Sequence, residues 1–178
     1  MSKTLERRLF WRHVLSFLAG PVTMTLVIPG LIIWLADVPI PDLTSPLGLT
    51  LAVIGVLLVA GGVAMLFWTV YLFDRIGKGT LGVGKTLGQP VNLVVQGPYR
   101  HVRNPMISGV LAILLGEAAI ARSGWLLLWA VVWFLALTTT IQVWEEPSLQ
   151  RRFGDEYVRY RQNVPRWIPR WKGWDPVR

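Results

Sequence analysis

The feature that most constrains the fold is an uncharged apolar run over residues 49–73. A helix rises about 1.5 Å per residue, so a run of this length can cross the hydrocarbon core of a bilayer. Three further apolar segments lie at about residues 14–36, 106–121 and 125–144. With 53% hydrophobic residues, the chain is too apolar for an ordinary soluble domain. The sequence predicts a single all-α integral membrane domain, residues 1–178, with about four transmembrane helices.

Basic residues are distributed very unevenly among the segments that connect these runs. Residues 1–13, 74–105 and 147–178 contain 17 of the 18 Lys and Arg residues, whereas the other two connections contain only Arg122. Cytoplasmic loops of membrane proteins are enriched in Lys and Arg. We therefore expect both termini on the cytoplasmic side of an inner or plasma membrane. The basic, aromatic tail should lie on the membrane surface as an amphipathic segment.

Composition argues against several other function classes. The net charge of +8 does not indicate nucleic-acid binding, because the basic residues flank apolar runs and no nucleic-acid-binding fold is recognisable. The chain has no Cys, and its only His residues are His13 and His101, so we expect no metal site. The Gly-rich run of residues 77–84 follows no predicted strand, so we interpret it as part of a membrane-surface loop rather than a phosphate-binding loop.

Small residues recur on one face of two predicted helices. They are Gly48, Gly55 and Gly62 in the second span and Gly109, Ala112 and Gly116 in the third. Small residues let helix backbones approach closely in lipid, so we interpret both faces as packing surfaces.

Glu117 lies inside the third predicted span and has two interpretations. An ionisable group within a membrane is expensive, which makes this carboxyl group a functional candidate. Alternatively, it reaches the outer boundary and pairs with Arg122. The short distance between the two residues along the helix favours the pair.

Two adjacent carboxylates, Glu145 and Glu146, end the fourth predicted span. They repel each other, so near an apolar surface at least one needs a partner. Arg100, Arg103, a cationic ligand centre or the two hydroxyls of a ribose are suitable partners, and an exposed helix-end pair is the alternative. A polar stripe on the same helical face predicts the wall of a polar cavity. Its members are Thr138, Gln142, Glu145, Glu146 and Leu149.

A second polar feature, residues 97–105 (GPYRHVRNP), leads directly into the third predicted span. Gly97 and Pro98 favour a turn, and Tyr99 offers a flat face and a hydroxyl group. The free N–H groups at the start of the following helix can meet a polar or anionic ligand group. A basic interfacial loop with an aromatic anchor is the alternative interpretation.

These two features together resemble a known family. LVVQGPYRHVRNPMISG, followed by EEPSLQRRFGDEYVRYRQNVPRWIP, resembles the isoprenylcysteine carboxyl methyltransferases and their phospholipid methyltransferase relatives. The family pattern is G-x-Y-x-x-x-R-H-P-x-Y-x-G, then, after a helical hairpin, E-E-x-x-L, F-G-x-x-Y and V-P. The resemblance covers about residues 91–169. The matching residues are Gly97, Tyr99, Arg103, Pro105, Gly109, Glu145, Glu146, Leu149, Phe153, Gly154, Tyr157, Val164 and Pro165.

The resemblance implies an integral membrane enzyme that transfers a methyl group from S-adenosylmethionine. It implies a cytoplasmic cofactor pocket, closed by a lid of residues 78–105 and by the C-terminal amphipathic helix. An amphiphilic acceptor would enter from the membrane lipids. The acceptor is not identified by the resemblance, and neither are catalytic residues or the oligomeric state. The implied cofactor-binding residues are Asn92, Leu93, Val94, Tyr99, Arg103, Asn104, Pro105, Met106, Ile107, Glu145 and Glu146.

The chain departs from the family pattern at two positions. Asn104 replaces the His, and Ile107 replaces the second Tyr. Asn can donate and accept hydrogen bonds but does not titrate, which argues against an obligate acid or base at position 104. Three alternatives remain open: an NADPH-dependent membrane reductase related to the sterol reductases, a non-catalytic membrane protein that kept the fold, and a small transporter that uses Glu117.

Overall fold

A computed structural model describes residues 18–77 and 92–176, and all regular structure in these residues is helical. The all-α prediction is therefore confirmed for the described part of the chain. Among the described residues, π-helical segments at Leu18–Val27, Phe73–Gly77 and Ile141–Glu145 adjoin the α-helices. The α-helices are α1 (Ile28–Leu35), α2 (Pro46–Leu72), α3 (Pro105–Ala121), α4 (Gly124–Thr140) and α5 (Glu146–Asn163).

The first apolar segment changes its helical type at its prolines. A π-helical stretch, Leu18–Val27, contains Pro21, and α1 follows with Pro29 in its first turn. Proline lacks an N–H donor, which disturbs regular hydrogen bonding inside a helix. The hydroxyl of Thr25 donates to the carbonyl oxygen of Pro21 at 2.8 Å. Residues 14–17 of the predicted span lie outside the described residues.

The start of α2 is set by a capping serine and a proline. The Ser45 side chain accepts a hydrogen bond from the Gly48 N–H at 3.1 Å, and Pro46 occupies the first turn. The helix continues through the π-helical turn Phe73–Gly77. The observed helix therefore contains the whole predicted span of residues 49–73.

α3 and α4 form the predicted helical hairpin. Arg122 ends α3 in a left-handed conformation with a φ of 51°, and the Ser123 side chain accepts a hydrogen bond from the Leu126 N–H at 3.4 Å. The reversal therefore needs only these two residues. A buried apolar cluster packs the hairpin against α2, and its members are Leu66, Val110, Ile113, Leu114 and Ala130.

Glycines bring the backbones of α2 and α3 into direct contact. A Cβ atom added at Gly55 would lie 2.6 Å from the Gly116 carbonyl oxygen, and one added at Gly116 would lie 2.6 Å from the Gly55 carbonyl oxygen. Gly62 and Gly109 face each other in the same way. The predicted packing faces are confirmed at these positions. Gly48 differs, because it packs against the Asp42 carbonyl and Ser45 of its own preceding loop.

Within residues 18–77 and 92–176, two helices are long and apolar enough to cross a membrane by length and composition. They extend over Pro46–Gly77 and Gly124–Asn163, and both leave many large apolar side chains exposed. Gly20–Leu35 and Pro105–Ala121 are shorter apolar helices. A lipid-facing surface explains this exposure, since water would disfavour it. The count of four membrane spans stays a prediction.

The predicted ion pair between Glu117 and Arg122 is wrong. The structure has no ion pair between these residues, and Arg122 is exposed at the end of α3. The Oε2 atom of Glu117 is buried without a hydrogen-bond partner. The left-handed turn at Arg122 explains the difference, because it takes the chain out of the helical path on which the pair was predicted.

The Gly-rich stretch of the long connection lies mostly outside the described residues. Residues 79–86 have the Gly-x-x-x-x-Gly-Lys-Thr spacing of a phosphate-binding loop. Such a loop normally follows a β-strand, whereas this stretch follows the helical turn that ends at Gly77. Its interpretation as a membrane-surface loop stays a prediction, as does the lid of residues 78–105, of which residues 78–91 lie outside the described residues.

Replacing Gly55 by Val tests the helix contact. The added side chain must push α3 away, so we expect a loss of about 1–3 kcal/mol in the free energy of unfolding. Reversible denaturation in detergent measures this loss. Gly61→Val is the matched control, because Gly61 is exposed on the same helix and a Cβ there would meet nothing within 4 Å. Equal stability of the two variants would contradict the contact.

Candidate functional site

A short 3₁₀ turn, Gly97–Arg100, begins the candidate site. Gly97 has a φ of +54°, which favours glycine, and a Cβ atom there would lie 3.0 Å from Leu72 Cδ1. The backbone N–H of His101 closes the turn on the Pro98 carbonyl at 3.0 Å. The turn therefore packs tightly against the end of α2.

Tyr99 is buried by this turn. Its ring meets Phe73 edge to face, with centroids 5.6 Å apart, and packs with Leu72 and Val94. The hydroxyl of Tyr160 donates to the Tyr99 carbonyl oxygen at 2.8 Å. These contacts fix both the ring and the backbone of Tyr99 in an apolar environment.

Burial, together with the nearby Tyr160 and Glu145, raises the pKa of Tyr99 well above its usual range. The Tyr99 hydroxyl therefore stays protonated near neutral pH. It can donate a hydrogen bond but is not suited to act as a general base.

Asn92 and Leu93, which were predicted to bind the cofactor, contact other parts of the protein. The side-chain amide of Asn92 donates to the Ile76 carbonyl oxygen at 3.0 Å, which links this segment to the end of α2. Leu93 packs against a cluster that contains Tyr157 and Tyr160 of α5. The segment at 92–95 therefore lies between α2 and α5.

Glu146 is the centre of a buried ion-pair network. The Arg103 Nη1 atom donates to Glu146 Oε1 at 2.7 Å, and Arg166 donates from Nε to Oε1 at 2.9 Å and from Nη2 to Oε2 at 3.0 Å. The side chains of Glu146 and Arg103 are only 9% and 10% exposed. The carboxylate of Glu146 is thus fully engaged by the protein itself.

Glu145 differs sharply from its neighbour. It ends the π-helical turn Ile141–Glu145, is exposed, and has no hydrogen bond or ion pair with any described residue. Of the predicted cationic partners, Arg103 binds Glu146, whereas Arg100 donates to Asp175 at 3.2 Å and to the Trp174 carbonyl at 2.9 Å. The two predicted carboxylates therefore differ: Glu146 is bound by arginines, whereas Glu145 is available to a ligand.

Unpartnered donors gather at the start of α3. Asn104 occupies the N-cap position, but its side chain makes no capping hydrogen bond, and its Nδ2 atom is buried without a hydrogen-bond partner among the described residues. The Nε atom of Arg103 is also buried and unpartnered. Pro105 is buried in the first turn, and the N–H groups of Met106 and Ile107 have no partner within the helix. Buried donors of this kind cost free energy unless a ligand accepts them.

The C-terminal tail folds back over this segment. Backbone hydrogen bonds join Arg103 N–H to the Pro165 carbonyl at 2.8 Å, Arg170 N–H to the His101 carbonyl at 3.0 Å and Trp174 N–H to the Arg100 carbonyl at 2.9 Å. Sequence reasoning identified the tail as a surface segment but missed Arg166. The available signal was its position directly after the matched Val164-Pro165 motif.

The predicted polar stripe on α4 and α5 is only partly preserved. Gln142 and Glu146 line an open cleft of about 470 Å3, whereas Leu149 packs in the cluster with Tyr157. Thr138 has a buried, unpartnered Oγ1 atom. The π-helical turn between α4 and α5 explains the difference, because its extra residue rotates all later side chains relative to an α-helical face. Glu146 is the only predicted cofactor-binding residue that lines this cleft.

Comparison with known proteins supports the resemblance. The profile of the phospholipid methyltransferase family matches residues 49–156, which is more than half of the chain. This chain belongs to the phospholipid methyltransferase family. No similar protein was found among curated proteins, and no similar structure was found among solved structures.

The family match begins near the start of α2 and ends within α5. It includes most of α2, the turn at Tyr99, the start of α3 and the Glu145-Glu146 pair. Together with the two long apolar helices, it identifies a membrane methyltransferase. Arg166 and the tail contacts lie beyond the matched region.

Glu146→Ala tests the ion-pair network. The substitution leaves Arg103 buried without a counter-ion, so we expect a loss of about 3–5 kcal/mol in the free energy of unfolding. Denaturation in detergent measures this loss. Glu156→Ala, an exposed residue of the same helix, is the control and should change stability little. A Glu146→Ala protein as stable as this control would show that the network does not hold the tail and α3 together.

Proposed function

We propose that this membrane methyltransferase transfers a methyl group from S-adenosylmethionine to an amphiphilic, lipid-like acceptor at the cytoplasmic membrane face. The observation that supports this most is the set of unused polar groups around the start of α3. Buried donors on Arg103 and Asn104 have no hydrogen-bond partner in the part of the chain that the structure describes, and Glu145, next to the Arg103-bound Glu146, has an available carboxylate. They are brought together within the region that matches the family.

These groups suit the polar parts of S-adenosylmethionine. Its carboxylate requires hydrogen-bond donors, which Asn104 Nδ2, Arg103 Nε and the first N–H groups of α3 supply. Its ribose hydroxyls and ammonium group require an acceptor, and Glu145 is the carboxylate that the protein leaves unengaged. The resemblance assigns both regions to the cofactor, and the residues present fit that assignment.

When bound, S-adenosylmethionine supplies a methyl group activated by the positive charge on its sulfur atom. The contribution of the protein is then mainly to align acceptor and donor in a dry site. Leu72, Val94 and Tyr99 form a buried apolar wall that excludes water beside the proposed pocket. The tail, joined to residues 100–103 by backbone hydrogen bonds, covers the same segment.

We propose no catalytic base among the site residues. Tyr99 stays protonated, Asn104 does not titrate, and Glu146 already accepts three hydrogen bonds from arginines. A carboxylate acceptor needs no base, whereas an amine or thiol acceptor can lose its proton to water. The reaction is therefore an O-, N- or S-methylation whose acceptor defines its type.

The site should face the cytoplasm, because the segments around it contain most of the basic residues. The cofactor is polar and would enter from that side. The acceptor would enter from the membrane, between helices whose outer surfaces are apolar. An isoprenylcysteine-like carboxylate, a phospholipid amine or a small lipophilic thiol all satisfy this description.

Glu145→Ala tests the cofactor site. We expect S-adenosylmethionine to bind at least tenfold more weakly, a change of about 1.4 kcal/mol or more, measured by titration calorimetry in detergent. Glu156→Ala is the control, because it removes an exposed carboxylate from α5 outside the site. Wild-type affinity in Glu145→Ala would refute its assignment.

A second experiment tests the reaction itself. The protein is incubated with methyl-labelled S-adenosylmethionine and a total membrane lipid extract, and the labelled product is identified. Label in an organic-soluble product that is lost in Glu145→Ala would support the proposal. Binding of NADPH in place of S-adenosylmethionine would instead favour a membrane reductase.

A further inference from the structure

A bend in α5 forms the cleft beside the candidate site. Gly154 has a φ of 53° and a ψ of −130°, which are not helical values, so α5 consists of two arms. The bend brings Arg161 of the second arm to the same cleft as Arg151 of the first. The cleft has a volume of about 470 Å3 and is lined by Gln142, Glu146, Pro147, Gln150, Arg151 and Arg161.

We propose that this cleft binds the phosphate group of a membrane phospholipid. Arg151 and Arg161 are both exposed, and neither side chain has a hydrogen bond or ion pair with any described residue. Two guanidinium groups that line one cleft without an anion repel each other. An anion held between them removes this repulsion.

The carboxylate in the cleft does not neutralise these arginines. Glu146 is already paired with Arg103 and Arg166, and the three residues together have a net positive charge. Asp155 and Glu156 belong to the second arm of α5 but do not line the cleft. The lining of the cleft is therefore electropositive.

The donor set suits a phosphate group. Guanidinium groups form paired hydrogen bonds with phosphate oxygens, and the amides of Gln142 and Gln150 add further donors at the rim. A volume of about 470 Å3 is larger than a phosphate ion alone requires and accommodates a lipid headgroup.

The position of the cleft favours a lipid over free phosphate. Gln142 lies in the π-helical turn that continues the apolar helix α4. Val143 and Trp144 of the same turn are 57% and 69% exposed, so an apolar surface reaches the level of the cleft. Where the apolar surface of a membrane helix ends, phospholipid phosphates begin, and Trp is enriched at this boundary. The inference rests on membrane insertion and does not depend on methyl transfer.

The test compares lipid retention by the full-length protein in dodecyl maltoside, measured by native mass spectrometry. The probe is dioleoyl phosphatidylglycerol, and dioleoylglycerol is the matched lipid without phosphate. The test variant is Arg151→Gln/Arg161→Gln. The control is Arg159→Gln/Lys172→Gln, which removes two exposed positive charges that do not line the cleft.

We expect the wild type and the control to bind phosphatidylglycerol at least tenfold more tightly than the test variant, with dioleoylglycerol bound weakly by all three. Arg151→Lys/Arg161→Lys, which keeps the charge but loses the paired geometry, should bind with intermediate affinity, and it replaces the test variant if that protein does not fold. Equal retention in test variant and wild type would overturn the proposal. Displacement of the lipid by an equal concentration of inorganic phosphate would also overturn it, since the cleft would then be a free-phosphate site.

Discussion

The buried carboxylate of Glu146 is the interaction on which the candidate site depends. Its three hydrogen bonds join the start of α3 through Arg103, the start of α5 through its own backbone, and the tail through Arg166. Arg103 and Arg166 lie 43 and 20 residues away from Glu146 in the sequence. Because a buried charge is costly without its partners, the network stabilises only one arrangement of the three segments. That arrangement places Glu145, Asn104 and Tyr99 in the candidate site.

The helical architecture was predictable from the sequence because membrane helices need long apolar runs and close packing needs small residues. Both signals are local: residues 49–73 predicted α2, and Gly55 and Gly62 predicted a packing face on it, which contacts α3. Gly48 has the same spacing but a different role, since it lies in the capping turn of α2. Periodicity predicts which residues share a helical face, but not which of them contact the neighbouring helix.

The site was less predictable, since its geometry depends on contacts between distant segments. Charge repulsion between Glu145 and Glu146 correctly predicted a cationic partner, and Arg103 is one. The choice of Arg166 over Arg100 depends on how the tail folds back, for which no local pattern exists. The predicted polar stripe was wrong at Leu149, because the π-helical turn that rotates this residue off the face has no simple sequence signature. The predicted pairing of Glu117 with Arg122 was wrong for a similar reason, because Arg122 itself is left-handed and leaves the helical path.

Asn104 indicates that position 104 supplies hydrogen bonds rather than proton transfer. Where the family pattern has His, this chain has an amide whose Nδ2 atom is buried and unpartnered at the start of α3. An amide keeps the hydrogen-bond donor of an imidazole N–H but cannot transfer a proton at neutral pH. Tyr99 cannot replace it as a base, and the oxygens of Glu146 are already bound. The amide therefore suits the proposed site, which aligns an already activated methyl donor and needs hydrogen bonds more than proton transfer.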